Sequence, residues 1–211
     1  MKKKYIKIII ITLSCVILQY FFYSIVKSVE GTPILISSAI DSKIPFMVIG
    51  IIPYTIWYLL LFSMPLLIYK ENEESFVKYI ILYLLISISA DIIFLIYPTY
   101  VIRPVLTNNG ILYSLTKIIY SMDTPSVNCM PSLHCAIATL WIIYSIISKK
   151  TDWRLKAPII VTSILIIIST VLIKQHALID VITGIILTLI VYFILKFIPI
   201  KYNKISSILK L

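Results

Sequence analysis

Glycine is scarce in this chain, four residues in 211, and histidine is scarcer still, with two; only nine residues are acidic. So little glycine, without any period-2 alternation of polar and apolar residues, argues against an outer-membrane barrel with its alternating strands. Charged residues make up 13% of the chain and hydrophobic ones 60%, with a mean hydropathy of +1.03, which excludes an ordinary soluble domain. The three cysteines, Cys15, Cys129 and Cys135, form no CxxC pair and are odd in number, so neither a zinc ribbon nor a disulfide framework is implied. They read as buried apolar thiols, with an isolated Cys129 to Cys135 bridge as the minor alternative.

What remains is a set of long apolar runs punctuated by charge. They predict an all-α polytopic membrane protein, a single six-helix bundle with spans at about 5–26, 45–69, 78–97, 131–148, 157–173 and 176–196. The first run follows three lysines as a signal peptide would. It is too long for one and precedes no small-residue cleavage site, so it reads as an uncleaved helix. The connection from Thr99 to Met130 is the longest, and Ile111 to Met122 inside it is expected to form a short interfacial helix. Residues 201–211 read as a basic amphipathic tail on the membrane surface.

The formal charge of +10 does not point to nucleic acid, because the cations cluster at the ends of apolar runs and no basic recognition module remains between them. Lys27, Lys43, Arg103, Lys117 and Lys174 fall on one side of the six-span layout, and the other fourteen Lys and Arg residues on the opposite side. That bias puts both termini in the cytoplasm, with the loops around Arg103, His134 and His176 on the outer face, and the expected location is a plasma membrane.

The two histidines are the residues on which chemistry depends. His176 and Asp180 are four apart, a spacing that puts both on one face of a helix, where the carboxylate can hold the ring's Nδ1–H and leave Nε2 free. His134 follows Pro131 and Ser132, a sequence suited to a helix start, whose free N–H groups and Ser132 hydroxyl favour phosphate. Arg103 lies on the same side, with a planar fork that fits two phosphate oxygens. Each residue has a plainer reading: a helix-end charge complement, a loop histidine, an arginine reaching lipid headgroups. Their convergence at one predicted depth favours phosphoryl transfer, which needs cations, a nucleophile and an acid. A metal site built from His134, His176 and Asp180 is the chemical rival. Asp91, inside the third span, must face the bundle interior, as a structural partner or beneath the site.

Arg103-Pro104, Pro131-Ser132-Leu133-His134 and Ser169 through His176 to Asp180 resemble the three signature motifs of the type 2 phosphatidic acid phosphatase superfamily, Lys-x6-Arg-Pro, Pro-Ser-Gly-His and Ser-Arg-x5-His-x3-Asp. The resemblance implies a six-span fold and a reaction needing no metal or other cofactor. It implies His176 as the nucleophile that forms a phosphohistidine, Asp180 as its orienter and His134 as the acid for the leaving alcohol, with Arg103 and Ser132 on the phosphate. Ile96, Leu133 and Thr170 stand where the motifs have lysine, glycine and arginine, so two usual phosphate cations are missing, and Lys174 is the candidate replacement.

Pro-Ser-Leu-His together with Lys174-Gln175-His176 and the segment Asp41 to Phe46 is more similar to the inositol phosphorylceramide synthase and sphingomyelin synthase branch. A pocket with fewer cations also suits a diester, with one charge, over a terminal phosphate, with nearly two. The expected activity is therefore a lipid phosphoesterase leaning to headgroup transfer, with a lipid phosphate phosphatase as the alternative and a lipid-binding protein without activity as the non-enzyme reading. The expected partners are a lipid substrate and the bilayer, with no nucleic acid.

Overall fold

A computed structural model describes residues 2–29 and 31–209 of the chain. Helix α1 (Lys2–Ser28) is followed by a short strand β1 (Ile34–Leu35), helix α2 (Ala39–Lys43) and a 3-10 turn over Val48–Gly50 that runs into α3 (Ile51–Glu71). Next come α4 (Glu73–Ile96), β2 (Thr99–Tyr100), α5 (Ile111–Met122), α6 (Leu133–Ile147), α7 (Trp153–Leu172), α8 (Leu178–Phe197) and α9 (Tyr202–Ile208). Residues 210 and 211 of the expected basic tail lie outside the described residues.

The helix boundaries follow from local chemistry. Asn72 separates α3 from α4 and caps α4 by accepting the Ser75 N–H at 2.6 Å, with Glu73 and Glu74 in the first turn where the helix dipole favours them. Asp152 caps α7 through the Arg154 N–H at 2.7 Å, and Ser132 caps α6 through the Cys135 N–H at 3.3 Å. Pro98 follows the end of α4. Among the described residues, five helical stretches are long and apolar enough to cross a membrane: Lys3–Ser28, Val48–Glu71, Glu73–Ile96, Trp153–Leu172 and Leu178–Phe197. Many of their large side chains face outward, including Ile17, Tyr20, Leu59 and Phe193, as expected where lipid is the solvent.

The expected fourth span, 131–148, is shorter in the structure than its sequence range. Helix α6 has 15 residues, a rise of about 22 Å against a hydrocarbon core of roughly 30 Å. It is held at both ends. Pro131 and Ser132 start it, and Ser148 ends it, where the Ser148 hydroxyl and the Lys149 N–H donate to the Glu71 carboxylate at 2.5 and 2.7 Å. Helix α6 packs against α3, α4, α7 and α8, so its backbone is enclosed by protein and need not match the bilayer. Trp141 on α6 is fully buried and donates its indole N–H to the Tyr79 hydroxyl of α4 at 3.1 Å.

The fold is helical as expected, with one two-residue pairing besides: Ile34 and Leu35 lie in parallel with Thr99 and Tyr100, which satisfies backbone groups at the ends of two long connections. One further expectation is corrected: His176 lies before α8 instead of in its first turn, because the chain leaves α7 through a turn in which Lys174 has φ 54°. The three cysteines are free; burial pushes the Cys129 thiol up, which keeps it neutral and unreactive.

Candidate active site

The start of α6 and the loop before α8 meet at one residue. Asp180 is fully buried; its main-chain carbonyl accepts the Ser132 N–H at 3.0 Å, and its Oδ2 accepts the Ala177 N–H at 2.9 Å. The same Oδ2 lies 3.1 Å from His176 Nδ1. The predicted His-Asp pair therefore forms although His176 is off the helix, because an acidic residue in the first turn reaches back over the helix start as in a capping box. Close approach of α8 to α6 depends on Gly184, where a Cβ would stand 2.5 Å from the Ser132 carbonyl oxygen.

His134 and His176 face each other with ring centroids 6.0 Å apart. The ring of His134 stacks on Tyr54 at 4.7 Å and leans on Trp57 at 4.4 Å, and its Nε2 is buried without a hydrogen-bond partner. Tyr54, Trp57 and Tyr58 of α3 all pack against this histidine, and all three line a cavity of about 420 Å³ onto which both histidines open. Its walls are mostly apolar and aromatic, and they include Ile17, Tyr20 and Phe62, which are also exposed on the outer surface of the helices.

The loop carrying His176 is fastened on every side. Its backbone N–H donates to the Thr170 carbonyl at 3.1 Å, and the Gln175 amide reaches the Tyr54 hydroxyl at 3.3 Å. The Tyr120 hydroxyl donates to the Ile173 carbonyl at 2.5 Å; burial pushes that phenol up to about 12, the Arg103 charge beside it acting the other way, so it stays a donor. Asp41, on α2, accepts the Leu178 N–H through Oδ1 at 2.8 Å and the Ser38 N–H and hydroxyl through Oδ2 at 2.7 and 2.6 Å. Burial alone would raise the Asp41 carboxyl, but these hydrogen bonds and the nearby Lys174 charge outweigh it and hold it below its ordinary value.

The other expected site residues separate into two groups. Arg103 is near the cavity, its guanidinium 2.5 Å from the Asp123 carboxylate that lines it. Lys174 is turned elsewhere: its ammonium donates to the Asp41 and Ile44 carbonyls at 2.7 and 2.6 Å. Ser132 is fully buried, with its hydroxyl engaged as the cap of α6. Asp91 is buried on α4, one turn beyond the cavity-lining Ser87, with Oδ1 unpartnered. Of the motif departures, Ile96 points outward at 78% exposure, Thr170 is fully buried, and Leu133 lines the cavity. Among the described residues no three His, Cys, Asp or Glu side chains converge as a metal-ligand group.

The sequence gives Lys27 only as an orientation signal, Asp41 only as the start of a resembling segment, and Asp123 no role. Asp123 is a carboxylate in the connection between two motifs; of its partners, Arg103 belongs to a motif, while Tyr23 and Lys27 come from α1, about a hundred residues away in the chain.

A helical membrane protein with a His-Asp pair facing a second histidine across an apolar cavity is the class that these features define. The sequence matches the PAP2 superfamily over residues 33–194, and the chain belongs to that superfamily. Tyr23 and Lys27 lie before the matched segment. No curated protein and no solved structure matches the chain.

Proposed function

We propose that the protein is a membrane-embedded lipid phosphoesterase that works through a phosphohistidine on His176. The observation that carries the reading is the His176 Nδ1 contact of 3.1 Å with Asp180, on a ring that faces His134 at 6.0 Å. With Nδ1 committed to the carboxylate, Nε2 is the nitrogen left to attack phosphorus, and Asp180 stabilises the positive charge the ring acquires. As the Nε2–P bond forms and the P–O bond breaks, His134 gives a proton to the leaving alcohol from the nitrogen that has no protein partner. In the second step His134 takes a proton from the acceptor, which attacks phosphorus and frees His176.

The aromatic cavity supports a substrate with an apolar tail, and its rim of Ile17, Tyr20 and Phe62 supports entry from the lipid. Arg103 binds the phosphate from the side of α5. Lys174 does not make up the cation deficit with its ammonium on two carbonyls, which keeps the lean toward a singly charged diester and headgroup transfer to an alcohol. Purified protein incubated with lipid carrying radioactive phosphate and quenched in base should yield acid-labile label on His176. Turnover without such label, or full activity in folded His176→Ala, refutes the mechanism.

A further inference from the structure

The Asp123 carboxylate sits in a place its own helix disfavours and other parts of the chain hold. It follows the last turn of α5, where the helix dipole repels a negative charge. Three groups compensate. Arg103 Nη2 is 2.5 Å from Oδ2, Lys27 Nζ is 3.2 Å from Oδ1, and the Tyr23 hydroxyl donates to Oδ1 at 3.0 Å. Arg103 Nη1 also donates to the Asp123 carbonyl at 3.0 Å and reaches the Tyr120 carbonyl at 3.4 Å.

Two cations and a hydroxyl converging on the two oxygens of one anion form the set of donors that recognises a phosphoryl group. Two observations point beyond a closed structural ion pair. Arg103, with a side chain only 9% exposed, keeps its Nε buried and without a hydrogen-bond partner, a donor that the carboxylate does not use. Asp123 is 30% exposed and, with Tyr23, lines the cavity shared by His134 and His176. The anion is thus the accessible member of the cluster and the cations are the enclosed ones.

We propose that Lys27, Arg103 and Tyr23 form the seat for the substrate's phosphoryl oxygens, and that Asp123 is a resident counter-anion which the substrate displaces. The inference rests on the reading of this cavity as a phosphoryl-transfer site. Lys27, from a helix that carries none of the signature motifs, then supplies a cation where Ile96 and Thr170 supply none. With Asp123 in place the cluster carries one net positive charge, matching the single negative charge of a phosphodiester. Lys27 and Asp123 thereby set specificity: the two cations hold the phosphoryl oxygens, and the displaced carboxylate beside them repels the second negative charge of a monoester.

The test uses the full chain in a phosphate-free maltoside detergent, in a His176→Ala background so that binding is read apart from covalent chemistry. The probe is inorganic phosphate and the readout its dissociation constant by calorimetry. Asp123→Asn should bind phosphate about tenfold more tightly, Lys27→Gln about tenfold more weakly, and Lys27→Arg close to the parent, all keeping the parent's unfolding temperature within a few degrees. An aspartate that only positioned Arg103 would, when neutralised, free the guanidinium and weaken binding, so weaker or unchanged binding in Asp123→Asn overturns the proposal, as does unchanged binding in Lys27→Gln. Asp123→Ala serves as a second variant, with the same expectation, should Asp123→Asn not fold. Phosphohistidine formation by the parent protein without tightening in Asp123→Asn would remove the seat and leave the reaction; tightening without any phosphohistidine would leave the seat and remove the reaction.

Discussion

Gly184 is where the architecture is most exposed to a single methyl group. A Cβ built there meets the Ser132 carbonyl oxygen at 2.5 Å, and the Ala136 nitrogen and Cys135 Cβ at 3.4 Å. Ordinary contact requires α6 and α8 to part by roughly 0.9 Å at that point. The Ser132 carbonyl cannot rotate away, because it accepts the Ala136 N–H at 2.9 Å as the first bond of α6. Nor is the neighbouring backbone free: the Ser132 N–H donates to Asp180 at 3.0 Å, and the Thr188 hydroxyl bridges to the Ala136 carbonyl at 2.8 Å. Overpacking of this kind costs about 1–3 kcal/mol, and a stretched hydrogen bond about 1 kcal/mol more. The better helix propensity of alanine returns up to about 1 kcal/mol, so Gly184→Ala should destabilise by about 1–3 kcal/mol. His134 lies two residues after Ser132, so the same displacement moves it relative to His176, and turnover should fall on the order of 10- to 100-fold. Reversible unfolding in mixed micelles gives the first quantity and lipid turnover the second. Gly50→Ala is the milder comparison, since its Cβ meets Ile173 Cγ2 and Leu172 Cβ at 3.2 and 3.3 Å, which asks for a shift of only a few tenths of an ångström and lies away from the α6 to α8 contact. An unchanged unfolding midpoint and unchanged turnover in Gly184→Ala would refute the close approach of α6 to α8 and with it the registry of the two histidines.

Three other outcomes are expected. His134→Ala should abolish release of the alcohol product while leaving the fold intact, because the ring fills a wall of the cavity but no hydrogen bond runs from its Nε2; a folded variant with full turnover would remove it as the acid. Asp41→Asn should flatten the acid limb of the stability profile: the depressed carboxyl contributes stability that is present above its ordinary value of 3.8 and lost as pH falls through the lower folded value, so a variant with the parent's acid unfolding curve would contradict the α2 to α8 tie. A cysteine at Asn109, in a chain whose native cysteines are replaced, should react with an impermeant reagent from outside intact cells; labelling only after permeabilisation would invert the orientation inferred from the lysine and arginine bias.

The membrane helices were legible because bilayer thickness writes itself into apolar run length, and α5 runs over Ile111–Met122 as the sequence predicts. The length of α6 was not legible in the same way. Its apolar run continues the hydropathy signal of a span, while its real ends depend on Ser132 and on a Glu71 carboxylate that binds the loop after Ile147. Lys174 illustrates a second limit. Its place beside His176 in the sequence made it a natural phosphate cation, but its positive φ turns the side chain toward α2, where two carbonyls take its charge. Conversely Lys27, which the sequence offered only as an orientation signal, meets Asp123 from the end of α1. Pairings between residues this far apart leave no spacing pattern to read.

Asp180 explains why the motif segments could be joined correctly from sequence even though one helix boundary was misplaced. Its side chain fixes His176, and its main-chain carbonyl fixes the residue that starts the helix of His134. One residue therefore sets the depth of both rings, and it does so through its position in the first turn of α8 instead of through where His176 itself falls. The i to i+4 spacing is satisfied by a carboxylate reaching back over a helix start as readily as by two residues on one helical face. What the spacing constrains is the distance between the imidazole and the carboxylate, and the proposed role of His176 asks of this pair only that distance and a free Nε2.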